Sequence, residues 1–292
     1  MKTIVLIMLC VLPLCACKKQ DISKESGGIG QNSQDPKTGD RIISLSGGIT
    51  EVVSALGHEN SIVGVDITST YPQTLKGKAK ELGHVRSMTI EPIMALNPSL
   101  ILASDKDISS ELWDKIKLSG IKLEILKQEY SVEGTLKLIE QVASILGEKD
   151  YKNLNKKIDD DLQKVQHLIP KPKVLFIYAR GNNLLVSGKN TPMDKLIELA
   201  GGQNAIQEFS DFKALTPESM LKANPDVLFF FTSGLLSAGG EEAVLKMPGV
   251  SQTKAGKNKR IISMDGGLVS SFGPRIGEAV LELNKKLIES AE

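Results

Sequence analysis

A chain of 292 residues with 41% hydrophobic content has room for two lobes of ordinary size and a substantial core. Its 36 Lys and Arg residues balance 35 Asp and Glu residues, so no net field of either sign draws it to polyanions or to an anionic membrane surface. Nucleic acid is not an expected partner.

Residues 1–17 read as a targeting segment: Lys2 gives a positive start, residues 4–14 an apolar run, and Leu14-Cys15-Ala16-Cys17 a small-residue end. The run is shorter than the roughly 20 apolar residues a membrane span needs. Its last four residues resemble the lipobox of bacterial lipoproteins, which implies cleavage before Cys17 and lipid attached to it. Cys10 and Cys15 then leave with the signal, and the folded body holds no cysteine. Disulfides, thiolate metal sites and cysteine nucleophiles are thereby excluded from it.

Residues 18–40 are rich in Lys, Ser, Gly, Gln and Asn and too poor in apolar residues to order themselves, so they read as a flexible tether. An α/β lobe is expected over 41–147. It opens with a buried strand at 41–45, followed by Ser46-Gly47-Gly48 and a helix over 50–56, with Thr50 as its N-cap and Gly57 as its stop. Ser46 and Gly47 are candidates for ligand contact, because a glycine turn at a helix start can offer free N–H groups to an anion. The turn has neither the GxGxxG spacing nor a Gly-Lys-Ser/Thr ending, so it is not a nucleotide signature. Further strands read at 61–66, 100–103 and 121–126.

After a helix beginning at Val132, a second apolar stripe at Tyr151, Leu154, Ile158, Leu162 and Val165 has helical spacing with charge on the other faces. It reads as a single connecting helix over 148–170, on the order of 30 Å long. The α/β pattern restarts over 171–292, with strands at 173–178, 184–187, 227–232 and 260–264, a helix over 191–200 and a last helix over 277–290. Thr191 caps the first of these helices, Pro192 takes its first position and Gly201-Gly202 end it.

An internal repeat links the lobes: Thr89-Ile-Glu91 through Asn97-Pro98 aligns with Thr216-Pro-Glu218 through Asn224-Pro225 at a constant offset of 127 residues (Thr89 to Thr216). Each unit is a helix, a turn and a strand with a Glu in the first helical turn. One such Glu complements a helix dipole; two in equivalent places suggest a shared partner.

Four further stretches, Ser69-Thr70-Tyr71-Pro72, Gly83-His84-Val85-Arg86, Leu199-Ala200-Gly201-Gly202-Gln203-Asn204-Ala205 and Phe272-Gly273-Pro274-Arg275, carry a resemblance. From Arg41 onward the chain resembles the substrate-binding lipoproteins of bacterial ABC importers for haem, iron-siderophores and cobalamin, with the haem branch nearest. The resemblance implies two Rossmann-like lobes joined by one helix with the ligand cleft between them. It implies a monomer, tethered outside the cytoplasm by its lipid, that passes haem to a permease and its ATPase subunits. It places Glu91 and Glu218 on arginines of the permease and makes Tyr71 the ligand of the haem iron. Phenolate oxygen suits ferric iron, and a phenol of ordinary pKa near 10 needs the metal's charge or a neighbouring cation to bind as the anion. Arg86 is the candidate cation and His84 a candidate ligand contact. Where some relatives carry a His, this chain has Tyr178-Ala179-Arg180-Gly181, so a second axial ligand is not expected there. Arg180 and Arg275 are instead candidates for the propionates.

The cargo has alternatives, a ferric siderophore or cobalamin, whose metals arrive with most of their coordination supplied. Aromatic residues make up only 4% of the chain, so aliphatic side chains and Met would have to cover a porphyrin. A secreted α/β enzyme is a further reading, but no Gly-x-Ser-x-Gly elbow is present, and Asp66, a conceivable base, sits where turn-forming Asp residues sit. His58, His84 and His167 have no ligand spacing, and no cluster for a bare metal ion is evident.

Overall fold

The computed structural model describes residues 39–181 and 183–289, which belong to one compact unit. The targeting segment with Cys17, the tether up to residue 38 and the end of the last expected helix lie outside the described residues.

In chain order the first lobe runs β1 (Ile42–Leu45), α1 (Gly47–Val53), β2 (Ile62–Val65), β3 (Lys80–Glu81), α2 (Ile90–Met94), β4 (Leu100–Ser104), α3 (Ser110–Leu118), β5 (Lys122–Leu126) and α4 (Val132–Leu146). Helix α5 (Lys152–Leu162) follows. The second lobe runs β6 (Lys173–Arg180), β7 (Asn183–Ser187), α6 (Pro192–Leu199), β8 (Gln203–Asn204), β9 (Phe212–Ala214), α7 (Pro217–Ala223), β10 (Val227–Phe231), α8 (Thr232–Ser237), α9 (Gly240–Leu245), α10 (Lys254–Lys257), β11 (Ile261–Met264), α11 (Gly266–Ser270) and α12 (Ile276–Glu289).

The first sheet is all parallel in the order β3-β2-β1-β4-β5. Its central strands are buried on both faces, which is why β1 and β4 are mostly apolar without strict alternation, with only Ser44 and Ser104 as polar members. The second sheet runs β11-β10-β6-β7-β9, with β10 and β11 parallel to β6 and with β7 and β9 antiparallel additions. Two lobes of α/β structure are therefore present, as expected.

The 127-residue repeat is visible in detail. Thr89 and Thr216 are the N-caps of α2 and α7, and Asn97 and Asn224 turn the chain with φ of 43° and 38°. Each helix then leads into a central strand, anchored the same way: the Arg41 amide donates to Ser99 Oγ at 2.9 Å, and the Lys173 amide donates to Asp226 Oδ2 at 2.8 Å.

Two elements depart from the sequence reading. Helix α1 starts at Gly47, and Thr50 lies buried inside it rather than capping it. The Thr50 hydroxyl donates to Ser44 Oγ at 2.7 Å and shares a hydrogen bond with Ser69 Oγ at 2.7 Å, so it joins β1 to the Tyr71 loop. The connecting helix is α5, 11 residues or about 16 Å long, and not the whole of 148–170. Buried Asn284 on α12 explains the early end. Its Oδ1 accepts from the Gln166 amide and its Nδ2 donates to the Gln166 and Ala200 carbonyls, so the backbone there has partners other than the helix. Pro170 and Pro172 then forbid its resumption.

One apolar cluster runs through both lobes, from Ile42, Val52 and Leu102 through Ile139 and Ile158 to Phe176, Phe272 and Leu283. Helices α4, α5 and α12 carry it across the junction.

Candidate functional site

Ligands of parallel α/β sheets bind outside the carboxyl ends of the strands, where the connections part to either side. In the first lobe that edge holds the end of β1, the loop after β2 and the end of β4. The loop after β2 is built by Asp66, which is 3% exposed. Its Oδ2 accepts from the Thr68 amide at 3.0 Å and the Thr68 hydroxyl at 2.6 Å, and its Oδ1 accepts from Ser69 Oγ at 2.6 Å. Asp66 is a turn former, so the same network that removes it as a base fixes the loop that carries Tyr71.

Tyr71 stands at the tip of this loop, 43% exposed. The Arg275 guanidinium lies on its ring face, 3.7 Å from the centroid. Arg275 comes from the other lobe and is itself held by Glu51 of α1, which accepts from Nη2 at 2.7 Å and from Nε at 3.0 Å. Ser271 Oγ adds a third hydrogen bond to Glu51 at 3.1 Å. Burial pushes the Glu51 carboxyl above its ordinary value of 4.5, against the opposing pull of Arg275 and Ser271.

The segment that delivers Arg275 is strapped to the first lobe. Gln128 Nε2 donates to the Ser271 carbonyl at 3.3 Å, Thr135 Oγ1 donates to the Phe272 carbonyl at 2.9 Å, and the Tyr130 ring meets the Phe272 ring edge-on at 5.4 Å. Phe272 is fully buried with φ of 45°, a left-handed conformation that costs a bulky residue on the order of 1–2 kcal/mol. That turn is what brings Arg275 back toward Glu51.

The remaining expected residues are distributed unevenly. Ser46 and Gly47 sit beneath the Tyr71 loop: Ser46 is 7% exposed, and the Gly47 amide donates to Thr68 Oγ1 at 2.9 Å. The glycines serve close approach instead, because a Cβ on Gly47 would stand 2.6 Å from the Thr68 carbonyl oxygen and one on Gly48 2.4 Å from that of Ser271. His84 is exposed and starts a short turn at Val85–Ser87. Arg86 pairs with Asp107 at 3.7 Å, so the cation against Tyr71 is Arg275 and not Arg86. Arg275, committed to Glu51 and Tyr71, is correspondingly occupied as a propionate partner. Arg180 is exposed at the end of β6.

Glu91 and Glu218 are exposed in the first turns of α2 and α7, and a hydrogen bond from Thr89 holds the Glu91 carboxyl below its ordinary value. His58 pairs with Glu148 at 2.8 Å and is structural. Among the described residues no group of three His, Cys, Asp or Glu side chains is placed to hold a bare metal ion.

Two residues at the cleft escaped the sequence reading. Glu51 is one Glu in a short helix, with nothing local to distinguish it. Tyr130 lies four residues past the end of β5, with its ring against Phe272, and burial, with the nearby charge of Asp107, pushes its phenol up from 10.

Residues 42–267 match the model of the family described as periplasmic binding protein. The chain is 29% identical over 263 residues to YvrC of Bacillus subtilis, an uncharacterized ABC transporter substrate-binding lipoprotein, covering 87% of this chain and 81% of that one. It is 24% identical over 253 residues to the vitamin B12-binding protein of Vibrio parahaemolyticus, covering 84% and 88%. Among solved structures it is similar to the periplasmic heme-binding protein RhuT from Roseiflexus sp. RS-1, with 34% identity, a TM-score of 0.82 and coverage of 87% and 99%. The chain belongs to the periplasmic binding protein family, and it is an extracytoplasmic substrate-binding protein rather than an enzyme.

Proposed function

We propose that the chain is the lipid-anchored receptor of an ABC importer, that its cargo is ferric haem, and that Tyr71 binds the iron. The observation that carries this reading is the setting of Tyr71. An exposed phenol is held at the carboxyl edge of a parallel sheet by a buried Asp network, with a cation on its ring face. A phenolate bound to ferric iron carries negative charge, which the Arg275 guanidinium offsets. Arg86 and Arg180, both exposed, are the side chains offered to the two propionates, with His84 beside Arg86. Similarity to the heme-binding protein RhuT supports the same cargo. Glu91 and Glu218 dock the loaded receptor on its permease, and Cys17 carries the lipid.

Cobalamin is the second reading, supported by the similarity to a vitamin B12-binding protein. Cobalamin brings its cobalt with equatorial coordination complete and its outer rim crowded by amide groups, so a phenol braced by a cation has less to do for it. The folded chain titrated in parallel with ferric haem and with cyanocobalamin, followed by calorimetry, separates the two. Saturable one-site or two-site binding of haem and none of cobalamin is expected; saturable cobalamin binding without haem binding overturns haem as cargo.

A further inference from the structure

Helices α2 and α7 are equivalent in the 127-residue repeat and share a Thr at the N-cap position, a left-handed Asn turn and the Arg41 and Lys173 anchors, although of the two threonines only Thr216 accepts a capping hydrogen bond through its side chain. Apart from those cap and turn residues, their partly or fully exposed positions have mostly diverged. Pro92 and Ala95 of the first helix correspond to Ser219 and Lys222 of the second. Two positions keep their chemistry. One is the Glu91 and Glu218 pair. The other is Met94 and Leu221, large apolar side chains that are 39% and 40% exposed.

On each helix the apolar residue follows the glutamate by three positions, so the two side chains are neighbours on one face. A single exposed apolar residue needs no explanation. Packing gives no reason for the same exposed pair, one carboxylate and one large apolar group, to stand at the equivalent place on both lobes. A surface repeated twice on one chain matches a partner that also presents one surface twice. The glutamates require a cation in that surface, and the apolar side chains require an apolar socket beside it.

We propose that Met94 and Leu221 are apolar anchors that enter matching sockets on a permease built of two equivalent halves, each half also offering a cation to Glu91 or Glu218. This rests on the permease-docking reading and adds the apolar half of the interface. Charges on a rim set mainly the encounter rate and its salt dependence, whereas buried apolar anchors set the lifetime of the complex.

The test uses the lipidated full chain and the cognate permease with its ATPase subunits in nanodiscs, with association and dissociation followed by interferometry at two salt concentrations. Met94→Ser and Leu221→Ser are each expected to weaken binding about tenfold, equivalent to about 1.4 kcal/mol. The loss should appear in the dissociation rate, with the salt dependence and the chain's own melting curve unchanged. The Glu91→Gln/Glu218→Gln double variant should instead slow association and flatten the salt dependence. If the Gln variant loses binding while both Ser variants bind as wild type, the apolar anchors are wrong and the docking reading stands. If no variant changes binding, both fail. An effect of only one Ser variant overturns the two-half socket. A wild-type dimer in sedimentation that the double Ser variant dissociates would assign the patch to a second copy of this chain.

Discussion

Glu51 and Arg275 form a two-point ion pair across the lobes, with Nη2 to Oε1 at 2.7 Å and Nε to Oε2 at 3.0 Å, and the same guanidinium covers the ring of Tyr71. The carboxylate is 4% exposed and the Arg side chain 16%. Removing either partner therefore leaves a charge in a desolvated place, at a cost of about 3 kcal/mol. Glu51→Ala and Arg275→Ala should each lower the urea unfolding free energy by about that much, and the double variant should lose clearly less than the sum of the two. Additive losses would mean that the pair is not coupled as its geometry requires.

The raised Glu51 carboxyl gives stability a pH dependence of definite sign. Unfolded, the group titrates near 4.5; folded, burial holds its proton to higher pH. The contribution is fully present below 4.5 and is lost as pH rises through the raised folded value. The thermal midpoint of the wild type minus that of Glu51→Gln should accordingly fall as pH climbs from 4 toward neutrality. A difference that grows with pH would show Arg275 outweighing burial.

Gly48 is the point where α1 meets the Ser271 carbonyl of the other lobe, with 2.4 Å available to a Cβ. Gly48→Ala has a backbone atom to displace and should cost about 1–3 kcal/mol by overpacking. Because the displaced strand of chain delivers Arg275, cargo affinity should drop with it. Equal stability of wild type and variant in a melting experiment would contradict the close approach.

The lobes share one apolar cluster through α4, α5 and α12, so opening them as rigid bodies would expose core. Saturating cargo should change the radius of gyration in solution scattering by less than about 1 Å, as expected for a stiff junction with no separate interlobe layer. A change of several ångströms would place a hinge where the structure has a continuous core. The physical basis of this stiffness is the shared core and not the connecting helix, since α5 has only 11 residues.

Much of the architecture was legible because it rests on local signals. Apolar runs bounded by turn residues marked β1, β4, β6 and β10, and Thr191, Pro192 and Gly201 bounded α6 nearly to the residue. The repeat was legible because Thr, Glu and Asn-Pro recur in register. What was hidden depends on contacts between residues far apart in the chain. Thr50 looks like a cap until Ser69 is beside it, Gln166 looks helical until Asn284 reaches its backbone, and Gly47-Gly48 look like an anion cradle until Thr68 and Ser271 cover them. The sequence offers Arg86, 15 positions on (Tyr71 to Arg86), as the cation against Tyr71, whereas the chain's return at Phe272 supplies Arg275 from 204 positions away (Tyr71 to Arg275). Glu51, which holds that arginine, carried no signal of its own.

Ligation of a bound haem iron by Tyr71 is tested by a visible absorption titration of the chain with ferric haem, for wild type beside Tyr71→Ala. Wild type should give a saturable spectrum with a tyrosinate-to-iron charge-transfer band and the variant should lose that band, with the melting curve little changed because Tyr71 is 43% exposed. The same weak, non-saturating change in both proteins, or an unaltered saturable spectrum in Tyr71→Ala, would contradict it.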